Sequence, residues 1–144
     1  MGEQSNKKNE HPFFPWGFHI LDKWIQIKNK GKSLSIYFED NLMHRVAIYG
    51  LGAIGKSLYE ELCQTKIKVC YGIDKNAANI RIDGLEMKTL EEELTEVDVV
   101  VVTPIAFYEI EKNIYQKMGS NINIVAIEDV VNYCINLAQQ ISVR

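Results

Sequence analysis

From Phe18 onward, apolar residues recur three and four positions apart. Leu21, Trp24, Ile25 and the Lys28 stem follow the i, i+3, i+4, i+7 series, and Ile20 and Ile27 widen the stripe. That spacing predicts an amphipathic helix, with Gly31 placed where a helix C-terminal glycine belongs. A shorter helix is expected next, with Ser33 or Ser35 as N-cap and Leu34, Tyr37 and Phe38 on its buried side. After His44 the pattern changes. The run RVAIY at 45–49 ends in glycines and predicts a buried strand, followed by a helix over 54–65 with Ile54, Leu58 and Leu62 on one face. The alternation then repeats: a strand at 67–73, a helix or turn at 76–79, weakly extended chain at 80–87 and a helix at 89–95. A strand at 97–103, a helix at 107–118, a strand at 122–127 and a helix at 129–139 complete it. Such alternation requires right-handed crossovers and a mainly parallel sheet. The runs VDVVVV and INIVAI are β-branched and nearly continuous, as suits strands covered on both faces. The expected class is therefore α/β: about five parallel strands with helices on both faces, preceded by N-terminal helices. Three stretches follow: a polar, proline-punctuated lead-in at 1–17, a helical segment at 18–43, and the α/β domain at 44–144.

Bulk properties narrow the possibilities. A chain of 144 residues supports one hydrophobic core. With 47% hydrophobic and 24% charged residues it has the make-up of a globular protein. A net charge of −3 provides no electrostatic footprint for nucleic acid or an anionic membrane. Lysines gather near the start, but Asp22, Glu39 and Asp40 dilute them into a solvated face. Cys63, Cys70 and Cys134 form neither a CxxC pair nor an even set, so reduced, buried thiols in a cytoplasm are expected. The longest apolar stretch, 97–105, is interrupted by Asp98, Thr103 and Pro104 and is too short to span a bilayer. The first ten residues lack the apolar core of a signal peptide. His11, His19 and His44 have no clustered carboxylates or cysteines near them, so no metal site or triad is expected.

The chemistry concentrates at Gly50-Leu51-Gly52-Ala53-Ile54-Gly55. This GxGxxG follows a buried strand, opens a helix, and has an acidic residue ending the next strand. That is the setting of a Rossmann-type dinucleotide turn. Gly50 would allow the tight turn, Gly52 the approach of a pyrophosphate, and Gly55 the close packing of helix on strand. The free amides around Ala53 and Ile54, with the helix dipole, would hold the anion. Asp74, nineteen residues after Gly55, would accept hydrogen bonds from an adenosine ribose and repel a 2′-phosphate. NAD(H) is thereby favoured over NADP and CoA, although Lys75 works against the discrimination. Thr103 and Pro104 end a later strand, where ligands meet open α/β sheets; Thr103 could face a ribose or substrate, or cap a helix. Glu128 and Asp129 occupy the equivalent place after the last strand, where helix capping is the plainer role for Asp129.

Two other patterns compete. Gly50 to Ser57 also satisfies GxxxxGKS, a P-loop with Lys56 on the phosphates and Ser57 on Mg²⁺, but no carboxylate ends the 97–103 strand to complete the metal site. Tyr108 and Lys112 form the YxxxK spacing of short-chain dehydrogenases. They lie too early in the chain and have no preceding catalytic serine, so an exposed helix face accounts for them.

Over residues 24–131 the sequence resembles the Rossmann-like domains attached to bacterial polysaccharide and nucleotide-sugar enzymes. The resemblance is carried by RVAIYGLGAIG, LYEEL, YGID, VDVVVVT and IVAIED. Such domains are similar to the nucleotide-binding region of nucleotide-sugar dehydratases and to CoA-binding-like domains. The resemblance implies the fold and a small-molecule nucleotide site, with an accessory or regulatory part in sugar metabolism. It carries no reaction, because the catalytic residues of the larger proteins have no counterpart here; were the chain an enzyme, it would be an NAD-dependent oxidoreductase or a dehydratase/epimerase. A homodimer or a partner enzyme domain could dock on the N-terminal helices through Trp16, Trp24, Tyr37 and Phe38, although packing of these residues on the module's own sheet is the simpler expectation, or the module could be a scaffold with a degenerate site.

Overall fold

The computed structural model describes residues 13–143. Helix α1 (Phe13–Asn29) and helix α2 (Ser35–Asp40) lead into strand β1 (Arg45–Tyr49). Helix α3 (Ala53–Leu62), strand β2 (Lys68–Ile73), a single 3₁₀ turn (Ala77–Asn79) and strand β3 (Met87–Lys88) follow. Strand β4 (Val99–Val102), helix α4 (Phe107–Met118), strand β5 (Ile124–Ala126) and helix α5 (Ile127–Val143) complete the chain. The strands form one sheet in the order β3-β2-β1-β4-β5, every pair parallel. The expected α/β architecture, a Rossmann-like parallel sheet with helices on both faces and N-terminal helices before it, is what the chain adopts. Residues 1–12, which include His11, Pro12 and most of the expected lead-in, lie outside the described residues; Pro15 and Gly17 belong to α1.

Side chains alternate across the sheet as the two-residue period of a strand demands. Val46, Ile48, Val99 and Val101 face one core with α1, α2, α3 and α5. Ala47, Tyr49, Val100 and Val102 face another, closed by Ile110 and Ile114 of α4. The N-terminal helices thus share the sheet's own core, and Lys23 ties α1 to Asn132 of α5 at 2.8 Å.

Four expectations need correction. The buried stripe of α1 is Ile20, Trp24 and Ile27, while Phe18, Leu21 and Ile25 are exposed, and Lys28 is largely exposed with its ammonium on Glu61. Burial of the indole by α3 and α5 rotates the helix relative to the position its periodicity favoured. Helix α2 starts at Ser35 with Leu34 at its N-cap and no side-chain cap, although Ser33 Oγ does accept the Ser35 amide at 3.1 Å. No helix forms at 89–95. Glu92 caps Thr89 over one turn, but Lys88 takes the Glu93 carbonyl and the Tyr71 hydroxyl takes that of Thr95, so a seven-residue helix with a costly nucleus never propagates. Finally, α5 begins at Ile127, directly on leaving β5, and is longer than the expected 129–139. With no helix between β3 and β4, the second face of the sheet is covered by α4 and an irregular crossover, and a gap opens between them.

Candidate functional site

The order reverses between β1 and β4, whose connections run to opposite faces, and ligands of open α/β sheets bind at this point, outside the carboxyl ends of the strands. The glycine turn lies here. Gly50 adopts φ +92°, a conformation that disfavours a side chain, and its pro-Cβ space is already filled by Thr103 and Pro104. A Cβ on Gly55 would run into the Gly50 carbonyl, so the turn closes only with glycine there. Gly52 differs: it has φ −76°, and a Cβ there would meet nothing within 4 Å. It is the N-cap of α3 and supplies no side-chain cap, and the first α3 amide bonded back along the chain is that of Lys56, to Gly52 O at 2.9 Å. The N-terminus of α3 therefore keeps its amides and dipole turned outward at Gly52 and Ala53, both exposed.

Asp74 ends β2 beside this turn. Its Oδ2 accepts the Leu51 amide at 3.0 Å and its Oδ1 accepts the Asn76 amide at 2.9 Å. A carboxylate has about four lone-pair positions, so acceptor capacity remains for a further partner. The contact to Leu51, invisible in the sequence, makes Asp74 a brace of the turn as well as a candidate ribose acceptor. Thr103 was expected to face a ligand or cap a helix and does neither. It is buried, its hydroxyl donates to Gly50 O at 2.7 Å with Tyr49 O at 3.1 Å, and α4 has Ala106 at its N-cap without a side-chain cap. Thr103 holds the turn from behind, and Pro104 reaches the cleft wall.

Two adjoining hollows open at these strand ends. One, of about 290 Å³, is walled by Gly50, Asp74, Lys75, Asn76, Pro104, Glu109 and Ile110 among others. The second, of about 250 Å³, adds Ile73, Leu90 and Glu91, and both share Tyr49, Asp74, Lys75 and Asn113. Together they approach the size of a small-molecule pocket. The gap left by the missing helix forms the second hollow. Three carboxylates, Asp74, Glu91 and Glu109, face one lysine across the cleft, so it is acidic away from the α3 terminus. Burial, with Asp74 and then Glu91 adding to it, pushes the Tyr49 hydroxyl above the ordinary tyrosine range. Sequence reasoning missed Tyr49, Glu91, Glu109 and Asn113. Only the placing of α4 beside the crossover that follows β3 brings them to one place. A larger hollow of about 590 Å³ lies at the opposite, amino ends of the strands. Several of its polar groups are spent inside the fold: Asp98 accepts the amides of His44 and Arg45, Asn123 donates to the Asp98 carbonyl, and Lys117 donates to Glu91 O.

The remaining candidates lie apart. Helix α3 begins at Ala53, so Lys56 and Ser57 are already helical and exposed, and Ser57 borders a hollow against α1. A P-loop wraps its phosphates with the residues between the two glycines, and here three of those residues, Gly52 to Ile54, are a helix cap and a first turn. Tyr108 is exposed on α4, and neither hollow of the cleft is lined by a serine. Glu128 and Asp129 are exposed in the first turn of α5. Of the thiols expected to be buried, Cys134 is, whereas Cys63 is exposed and Cys70 half-buried. Trp24 and Phe38 belong to the core and Trp16 and Tyr37 pack against it, so the simpler expectation for them holds over the partner surface. Among the described residues no group of His, Cys, Asp and Glu could hold a metal ion, and no helix is long and apolar enough to cross a membrane. Comparison with protein-family models, curated proteins and solved structures finds no match to this chain.

Proposed function

We propose that the chain is an NAD(H)-binding or related nucleotide-binding module, with the pyrophosphate at the N-terminus of α3 and the adenosine in the cleft beside Asp74. One observation carries the reading: an uncapped helix N-terminus, an open Gly52 and a carboxylate with spare acceptor capacity converge at the point where the strand order reverses. Asp74, Lys75, Pro104 and the amides of Gly52, Ala53 and Ile54 are the contacts it names. The acidic cleft favours NAD over NADP and CoA, whose adenosine ribose carries an extra phosphate. The resemblance of the sequence to domains of nucleotide-sugar and polysaccharide enzymes supports an accessory or regulatory part in that metabolism, with the chemistry residing elsewhere.

Thermal unfolding with NAD, NADP, CoA and Mg-ATP tests this. A native-state ligand at 100 times its Kd stabilises by about 2.7 kcal/mol, a rise of roughly 5–10 °C for a domain of this size. NAD should give the largest rise, undiminished by Lys56→Ala and reduced by Asp74→Asn, which keeps an acceptor for the Leu51 amide. A rise with Mg-ATP alone, abolished by Lys56→Ala, would replace this reading with the P-loop one. A second reading, a self-associating scaffold, draws on the exposed Phe18, Leu21 and Ile25 at i, i+3, i+7 on α1. It requires that no nucleotide shifts the transition and that Ile25→Asp dissociates a dimer seen by sedimentation.

A further inference from the structure

We propose that the Tyr49 hydroxyl is a ligand contact, donating a hydrogen bond from the cleft floor to an acceptor atom of the bound adenine. The inference rests on the nucleotide reading above and extends it to a residue outside the glycine turn. Tyr49 is 5% exposed and sits in the core beneath α4. Buried tyrosines ordinarily find a partner for the hydroxyl. Tyr71, on the neighbouring strand and the same face, donates to Thr95 O at 2.6 Å; Tyr59 donates to Asp83 O at 2.8 Å. Among the described residues no fully buried side-chain polar atom lacks a partner. The Tyr49 hydroxyl has none among the described residues, so it is not sealed, and Tyr49 lines both hollows of the cleft. A nearly buried ring thus presents a single unspent donor to a hollow.

The surroundings select the part of the nucleotide it meets. Burial first, then the charges of Asp74 and Glu91, keep the proton on the hydroxyl, so it acts as a donor. A phosphate in the same space would face Asp74, Glu91 and Glu109 and is excluded. Pro104, Ala106 and Ile110 supply the apolar wall a base requires. Ring nitrogens of adenine are acceptors, and a buried donor without a partner in the apo protein is satisfied by one of them.

Isothermal titration of the wild type and of Tyr49→Phe with NAD and with adenosine decides the matter. A neutral hydrogen bond of this kind corresponds to about a five- to tenfold change in Kd. Tyr49→Phe should weaken both ligands by that factor and leave the unliganded melting temperature in place, because no group among the described residues uses the hydroxyl. Equal affinity of the two proteins for NAD and adenosine would overturn the contact while leaving the nucleotide reading standing. A fall of several degrees in the unliganded melting temperature would also overturn it, by showing that the hydroxyl serves the fold. A wild type that binds neither probe removes the nucleotide reading, and this inference with it.

Discussion

Glu61 accepts four hydrogen bonds from groups on α1 and the α1–α2 loop, and removing it gives a sharp test of how the N-terminal helices are held. It lies on α3 with 9% exposure. Its Oε1 accepts the Trp24 indole and the Lys28 ammonium, each at 2.9 Å, and its Oε2 accepts the Leu34 amide at 2.7 Å and the Ser33 hydroxyl at 3.3 Å. One carboxylate thereby joins α1, the α1–α2 loop and α3. Burial is the largest influence on its pKa and pushes it up. The Leu34 amide, Lys28 and Trp24 together outweigh that and hold it below the usual glutamate range. In Glu61→Ala the Leu34 amide and the indole lose the acceptor of a buried hydrogen bond, at about 1–3 kcal/mol each. Lys28 is largely exposed and recovers its hydration, so the pair itself adds little. The expected loss is about 3–5 kcal/mol, in line with breaking other buried charge pairs, and roughly 10–15 °C in Tm. Urea unfolding followed by far-UV circular dichroism and by tryptophan fluorescence measures it. Glu61→Gln keeps one acceptor oxygen and should lose about half as much. The pH dependence has a definite sign. A carboxyl with a depressed folded pKa contributes stability that is present above its unfolded value, near 4.5, and is lost as pH falls through the folded value. Wild type should therefore lose more stability than Glu61→Gln between about pH 5 and 3, with Asp98, likewise depressed, contributing equally to both. A loss below about 1 kcal/mol in Glu61→Ala, or parallel pH curves for wild type and Glu61→Gln, would refute the argument.

The second and third glycines of the turn should behave oppositely. Gly55→Ala drives a methyl into the Gly50 carbonyl and should cost about 2–3 kcal/mol in chemical denaturation. Gly52→Ala meets open space at an ordinary φ and should leave stability within about 0.5 kcal/mol, yet weaken NAD at least tenfold, about 1.4 kcal/mol, by standing where a phosphate must approach. Equal NAD affinity in Gly52→Ala would remove the phosphate from that spot. Thiol labelling should also separate two cysteines: burial pushes Cys134 up to about 11, leaving roughly one thiolate in a thousand at pH 8, while Cys63 is exposed. Mass spectrometry after brief iodoacetamide treatment should find Cys63 modified and Cys134 not, until denaturant is added.

Much of this protein was legible from local rules. A strand's period of two and a helix's of 3.6 depend on neighbours a few residues apart, so the alternation of elements, the glycine turn after β1 and Asp74 at the end of β2 could be read along the chain. The helix over 107–118 was found to the residue. What failed, or was silent, depended on residues brought together from far apart. Which side of α1 is buried was decided by Glu61, thirty-seven residues after Trp24, because the indole and the carboxylate had to meet. The segment at 89–95 has the residues of a helix, but its carbonyls are claimed by Lys88 and Tyr71 from the sheet. Thr103 looked like a ligand residue from its place at a strand end; a hydrogen bond to Gly50, fifty-three residues earlier, turned it inward. Tyr49 read as one more apolar strand residue until the missing helix left its hydroxyl facing a cleft. Sequence by itself determined which elements form and where the turn lies, since those are short-range energies. Only the tertiary structure decided which polar groups are spent on the fold and which are left for a ligand, since a hydrogen bond is assigned by proximity in space and not along the chain.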